Sequence, residues 1–105
     1  LEEYAFSNLE RLNILHLYDN RIRKLDHENI FKDLVDLRDL NLGNSFWDIY
    51  GDNRINSLNI NLFKNLKNLE ILYFSYNDLR EIHNGIFDNL TNLKELYLRG
   101  LFLGN

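Results

Sequence analysis

The chain has 105 residues, 45% of them hydrophobic, a formal net charge of −4 and no cysteine. That length suits one small domain, and the hydrophobic fraction argues against disorder. Disulfides and thiolate metal sites are excluded, no apolar run reaches the roughly eighteen residues of a membrane span, and Lys and Arg, scattered among more numerous acids, make no basic patch for nucleic acid.

In chain order, the first signal is Phe6 followed by leucines at steps of three, Leu9, Leu12 and Leu15. Leu15-x-Leu17 then alternates with period two, which predicts a strand with both leucines turned to one side. Asn20, Ile22 and Leu25 complete the unit. The second unit repeats it from Phe31 through Leu34, Leu37, Leu40 and Leu42, but meets Ser45 where asparagine is expected. Its missing half returns as Asn53-x-Ile55-x-x-Leu58. The third runs Phe63, Leu66, Leu69, Leu72, Phe74, Asn77, Leu79 and Ile82; the fourth runs Phe87, Leu90, Leu93 and Leu96, with Leu101 at the asparagine position. Leu15 to Leu40 is 25 residues and Leu72 to Leu96 is 24, whereas Leu40 to Leu72 is 32, or 24 plus an insertion of eight near 44–51.

A fixed period of this length is the signature of stacked coils, each burying its apolar face against the next. Inward Leu, Ile and Phe each contribute about 1.5–3 kcal/mol, and only against a neighbouring coil. Asn20, Asn53 and Asn77 fall where the chain turns inward after the strand. A side-chain amide there can satisfy backbone groups that lack a ladder partner, so a structural asparagine ladder is expected.

These residues resemble the typical leucine-rich repeat of extracellular animal proteins, L-x-x-L-x-L-x-x-N-x-L-x-x-L followed by F-x-x-L-x-x-L. Toll-like receptor ectodomains and insect immune leucine-rich-repeat proteins carry it. The resemblance covers essentially the whole chain, about four repeats over 1–105. It implies an α/β solenoid that is curved, with a parallel β-sheet on the concave face and loops and short helical or 3-10 turns on the convex face. The phenylalanines would form a buried spine. Such families close their ends with cysteine-rich caps, and none stands here, so the expectation is a segment of a longer ectodomain.

The residues between and beside the strand leucines face outward on the concave side. Candidate contacts for a partner are His16, Tyr18, Asn41, Ile71, Tyr73, Tyr76, Tyr97 and Arg99. Tyrosine gives a large rigid surface with one polar tip, as interface anchors require; the plainer reading is that these side chains only cover the sheet. Four strands at about 4.8 Å span roughly 15–20 Å, less than a standard interface needs, so the face supplies part of one. In the insertion, Phe46, Trp47, Ile49 and Tyr50 are apolar for a loop, and two roles are open: a lid packed on the coil or a partner contact. Asn89-Leu90-Thr91 is an N-glycosylation sequon with Asn89 as acceptor.

Chemistry is sparse. His16, His27 and His83 have no metal-ligand spacing, and no phosphate loop or nucleophile motif occurs. The expectation is therefore no enzyme, no cofactor and no metal. A recognition module of a secreted or cell-surface protein, of innate-immune or receptor type, fits best. It would take a protein or microbial ligand on the concave face, with neither nucleic acid nor direct membrane insertion, and with a homo- or heterodimer open. The alternatives are a structural adhesion or scaffold repeat protein and a cytosolic repeat adaptor, which the lack of cysteine permits.

Overall fold

The computed structural model describes residues 1–44 and 52–101. Six short strands occur: β1 (Ile14–His16), β2 (Lys24–Leu25), β3 (Asp39–Asn41), β4 (Ser57–Leu58), β5 (Ile71–Tyr73) and β6 (Glu95–Tyr97). Four of them form a parallel sheet in the order β1-β3-β5-β6, and β2 pairs with β4 in a second parallel sheet. The register follows the repeat: Leu15 lies opposite Leu40, Leu40 opposite Leu72, and Leu72 opposite Leu96. The step from Leu40 to Leu72 keeps that register although it is eight residues longer. A slip of one residue would turn the leucines outward, and Leu40 and Leu72 both stay buried.

The core lies between the two sheets and the returning turns. Leu37, Leu40, Leu66, Leu69 and Leu72 are fully buried, and so are Phe31 and Phe63 to within 1%. The expected phenylalanine spine is present: Phe6 stacks on Phe31 at 5.9 Å and Phe63 on Phe87 at 6.0 Å between centroids. The stacking is in two near-parallel pairs, one between the first and second coils and one between the third and fourth. Leu101, in place of an asparagine, packs half-buried against this core.

One expectation is corrected. No helix, α or 3-10, occurs among the described residues, so the fold is a β solenoid and the α component of the expected class is absent. The physical reason lies in the spacing of the turn bonds. Ala5 donates to the Glu2 carbonyl and Ser7 to that of Tyr4, Ile30 to His27 and Lys32 to Asn29, Leu62 to Asn59 and Lys64 to Asn61. Each is an i-to-i+3 bond, but successive bonds skip a residue. The return path is a chain of separate turns, with no consecutive run from which a 3-10 helix could form.

After β1, β5 and β6 the chain reverses with a left-handed residue. Asp19, Tyr76 and Gly100, each four residues beyond the central strand leucine, have φ of 59°, 62° and 73°. Only glycine takes this conformation without strain, and for an aromatic residue it is costly. Gly100 is required twice over, because the Tyr76 ring occupies the space a side chain there would need. Asn44 occupies the equivalent place in the second coil and is absent from the left-handed set, which marks where that coil leaves the common path.

Candidate binding face on the open side of the sheet

The asparagine ladder sets the edge of the face. Asn53 is fully buried; its side-chain oxygen accepts the N–H groups of Asn20 (3.0 Å) and Ile22 (2.9 Å), and its amide donates to the Leu17 carbonyl (2.7 Å). Asn77, also fully buried, accepts the Ile55 N–H (2.9 Å) and donates to the Leu42 (3.0 Å) and Phe74 (3.1 Å) carbonyls. Each ladder residue thus ties its own coil to the preceding one. Asn20, in the first coil, is exposed, and its amide reaches only the Tyr18 carbonyl.

Spacing alone missed Asn44. It is buried, its oxygen accepts the Asn53 N–H (2.9 Å), and its amide donates to the carbonyls of Asn53 (2.6 Å) and Tyr76 (2.9 Å). By analogy with Asn53, Asn77 would accept two N–H groups; it takes one, and Asn44 takes the other. The frame therefore holds through Asn44 and resumes at Asn53, with that pair clasping the root of the insertion. Phe46, Trp47, Ile49 and Tyr50 lie outside the described residues.

The strand residues facing away from the core form stripes in register. His16, Asn41, Tyr73 and Tyr97 make one; Ile14, Asp39, Ile71 and Glu95 make the next. Tyr73 and Tyr97 stack face to face, 4.5 Å between centroids and 7° from parallel. The Tyr97 hydroxyl donates to Glu95 (2.7 Å), and this hydrogen bond to the carboxylate, followed by burial, raises the phenol above its ordinary value of 10.0. His16 Nε2 lies 3.5 Å from the otherwise unbonded Asp39 Oδ1, and its ring tilts against Tyr18 at 5.9 Å. Of the expected contacts, His16, Tyr18, Asn41, Ile71, Tyr73, Tyr97 and Arg99 come to this side. Tyr76 sits at its rim over Gly100.

A chain of charges borders the face. Glu70 binds Arg38 Nη1 (2.8 Å) and Lys94 Nζ (2.8 Å), linking three successive coils. Lys94 and then Arg38 hold the Glu70 carboxyl below its ordinary 4.5. Asn68 and Asn92, the asparagines before the leucines in N-L-K-N-L and N-L-T-N-L, donate to the Val35 (2.8 Å) and Lys67 (2.6 Å) carbonyls and form a second ladder on this border. Their repetition in the sequence was the available signal. Asn89 and Thr91 of the sequon are both exposed. No group of three or more His, Asp or Glu able to hold a metal occurs among the described residues, and no helix there is long and apolar enough to cross a membrane.

The parallel register, the fixed coil and the buried asparagines together leave one architecture. The fold is a leucine-rich-repeat solenoid. The leucine rich repeat family matches residues 51–100, the third coil and its flanks. Among solved structures, the leucine-rich repeat domain of APL1B superposes with a TM-score of 0.85 at 26% identity, over 100% of this chain and 28% of that one. The chain thus spans under a third of the APL1B structure it resembles. No curated protein sequence matches it. Leucine-rich repeats generally serve protein–protein recognition, and the open sheet face carries the side chains suited to it.

Proposed function

We propose that this chain is a recognition module of a secreted or cell-surface protein, of innate-immune or receptor type, which binds a protein or microbial ligand through the concave face of its sheet and performs no catalysis itself. The observation that carries this reading is the Tyr73–Tyr97 stack on the solvent side of a sheet whose other side is fully buried at Leu40 and Leu72. A rigid aromatic pair loses little entropy when a partner covers it, which is why such residues dominate binding energy. Ile14 is 59% exposed and Tyr18 50% exposed on the same side, adding apolar surface that folding leaves in water. The extracellular assignment draws on the repeat type and on the exposed Asn89-Leu90-Thr91 triplet.

The test compares the wild-type chain with the Tyr73→Ala, Tyr97→Ala double variant, using immobilised chain against extracellular and microbial proteins, with sedimentation velocity for self-association. The expected outcome is loss of foreign-protein capture in the double variant at an unchanged unfolding midpoint. Capture that survives both substitutions refutes the assignment of the face. Loss of self-association alone would favour the adhesion or scaffold alternative. A glycan on Asn89 in protein from its native source would exclude a cytosolic adaptor.

A further inference from the structure

Asn84-Gly85 is the single asparagine–glycine pair in the chain. It lies on the turn that leads into the fourth coil, and both residues are exposed. The Ile86 N–H donates to the His83 carbonyl (3.2 Å) across this turn, which makes Asn84 and Gly85 its two central residues. Gly85 has a φ of 82° and Asn84 is absent from the left-handed set, the pattern of a type II turn.

Little restrains the two groups. Among the described residues, no hydrogen bond engages the Asn84 side-chain amide or the Gly85 N–H. Glycine rotates freely and has no side chain to obstruct an approach to its nitrogen. Bringing that nitrogen onto the Asn84 side chain turns one exposed peptide, against a single bond across the turn. The other asparagines followed by a small residue are held. Asn44 is buried, with its amide donating to the Asn53 and Tyr76 carbonyls. Asn56 donates its N–H to the Arg23 carbonyl (2.9 Å), and Ser57 after it is paired in β4. Asn89 is exposed, but Leu90, next in the chain, is buried.

We propose that Asn84-Gly85 is a site of spontaneous covalent modification, at which the Asn84 amide passes through a cyclic imide to aspartate and isoaspartate. The Gly85 nitrogen gives up its proton and attacks Asn84 Cγ. The N–Cγ bond forms, the Cγ–Nδ2 bond breaks, and ammonia leaves with that proton. Water, the only co-reactant, then adds to either imide carbonyl; its hydroxyl stays on carbon and its proton goes to the nitrogen as the C–N bond breaks. Opening at Cγ gives aspartate. Opening at the main-chain carbonyl gives isoaspartate, whose backbone runs through the side chain.

Both products put a carboxylate where the chain has a neutral amide. Asp88 already stands on this turn, with Oδ2 3.1 Å from where a methyl group on Gly85 would lie. Isoaspartate also adds one carbon to the backbone between His83 and Ile86, so their bond must close over a longer path. Ile86 is 2% exposed and ties the turn to the core. The isoaspartyl form therefore loosens the entry to the fourth coil.

The test ages the folded chain in mildly alkaline buffer, which favours the deprotonated nitrogen, and follows ammonia release, intact mass and peptide maps that distinguish aspartate from isoaspartate. The expected result is a gain of one mass unit at residue 84, about tenfold faster than at any other asparagine because this turn opens locally, with isoaspartate among the products. Asn84→Gln, an exposed substitution, should abolish the early gain. Unfolding in urea should change the rate at Asn84 only a few-fold while sharply raising that at Asn44 and Asn56. Aspartate without isoaspartate would exclude the imide. Reaction at Asn84 only after unfolding, or equally fast reaction at Asn56 in the folded chain, overturns the proposal. Hydrogen exchange at the Ile86 amide should quicken in the aged chain more than in Asn84→Asp, which adds the charge without the extra carbon; equal rates overturn the loosening of the turn.

Discussion

Replacing Asn53 by alanine removes an acceptor for two N–H groups and a donor to the Leu17 carbonyl, all in the preceding coil, besides a long 3.5 Å bond to the Leu42 carbonyl that Asn77 also serves. The three losses differ in cost. Ile22 is only 5% exposed, so its N–H would be stranded away from water at about 1–3 kcal/mol. Leu17 is half-buried, and its carbonyl would lose about 1 kcal/mol. Asn20 is exposed, and its N–H regains water at little cost. The sum is about 2–4 kcal/mol, a large share of the 5–15 kcal/mol typical of a domain. Asn20→Ala is the control at the same repeat position: with an exposed side chain bonded only to the Tyr18 carbonyl, it should cost about 0.5 kcal/mol or less. Urea unfolding at constant slope measures both. Equal costs for Asn20→Ala and Asn53→Ala, or an Asn53→Ala cost under about 1 kcal/mol, would refute the account of the ladder as a set of coil-to-coil bonds.

Asn44→Ala strands the Asn53 N–H and two carbonyls at the root of the insertion, and should destabilise by about 2–4 kcal/mol in the same titration. Leu72→Ala, at a fully buried site between β3 and β6, should cost about 2–5 kcal/mol, so an unchanged thermal midpoint would contradict its burial. Glu70 has a lowered pKa in the folded chain, so its contribution is complete above the ordinary value of 4.5 and disappears as pH falls through the folded value. Wild type and Glu70→Gln should therefore differ in stability at neutral pH, less so at high salt, and converge in acid; a gap that widens on acidification has the wrong sign.

Much of this was legible in the chain itself. Leucines at steps of three after each phenylalanine mark the inward positions, and the structure buries Leu34, Leu37 and Leu40 as that pattern requires. The stripe from His16 to Tyr97 was readable too, because strands stacked at a fixed period put equal positions side by side. The helical turns were not, since leucines at steps of three suit separate turns and 3-10 geometry equally, and only the placement of the bonds distinguishes them. Asn44 was hidden by one residue of spacing.

The coil is written in the chain: its period, its inward face, its asparagines and the place of its interruption. Each is repeated locally, and the hydrophobic gain of stacking admits one register. Which groups meet across coils is set by the stacking of the folded chain. Asn53 serves residues 31 to 36 positions earlier, and Asn44 accepts the Asn53 N–H that the repeat would have assigned to Asn77. Those relations depend on three coils at once. No single repeat contains the information, because a side chain's partner is set by what the next coil presents at that position.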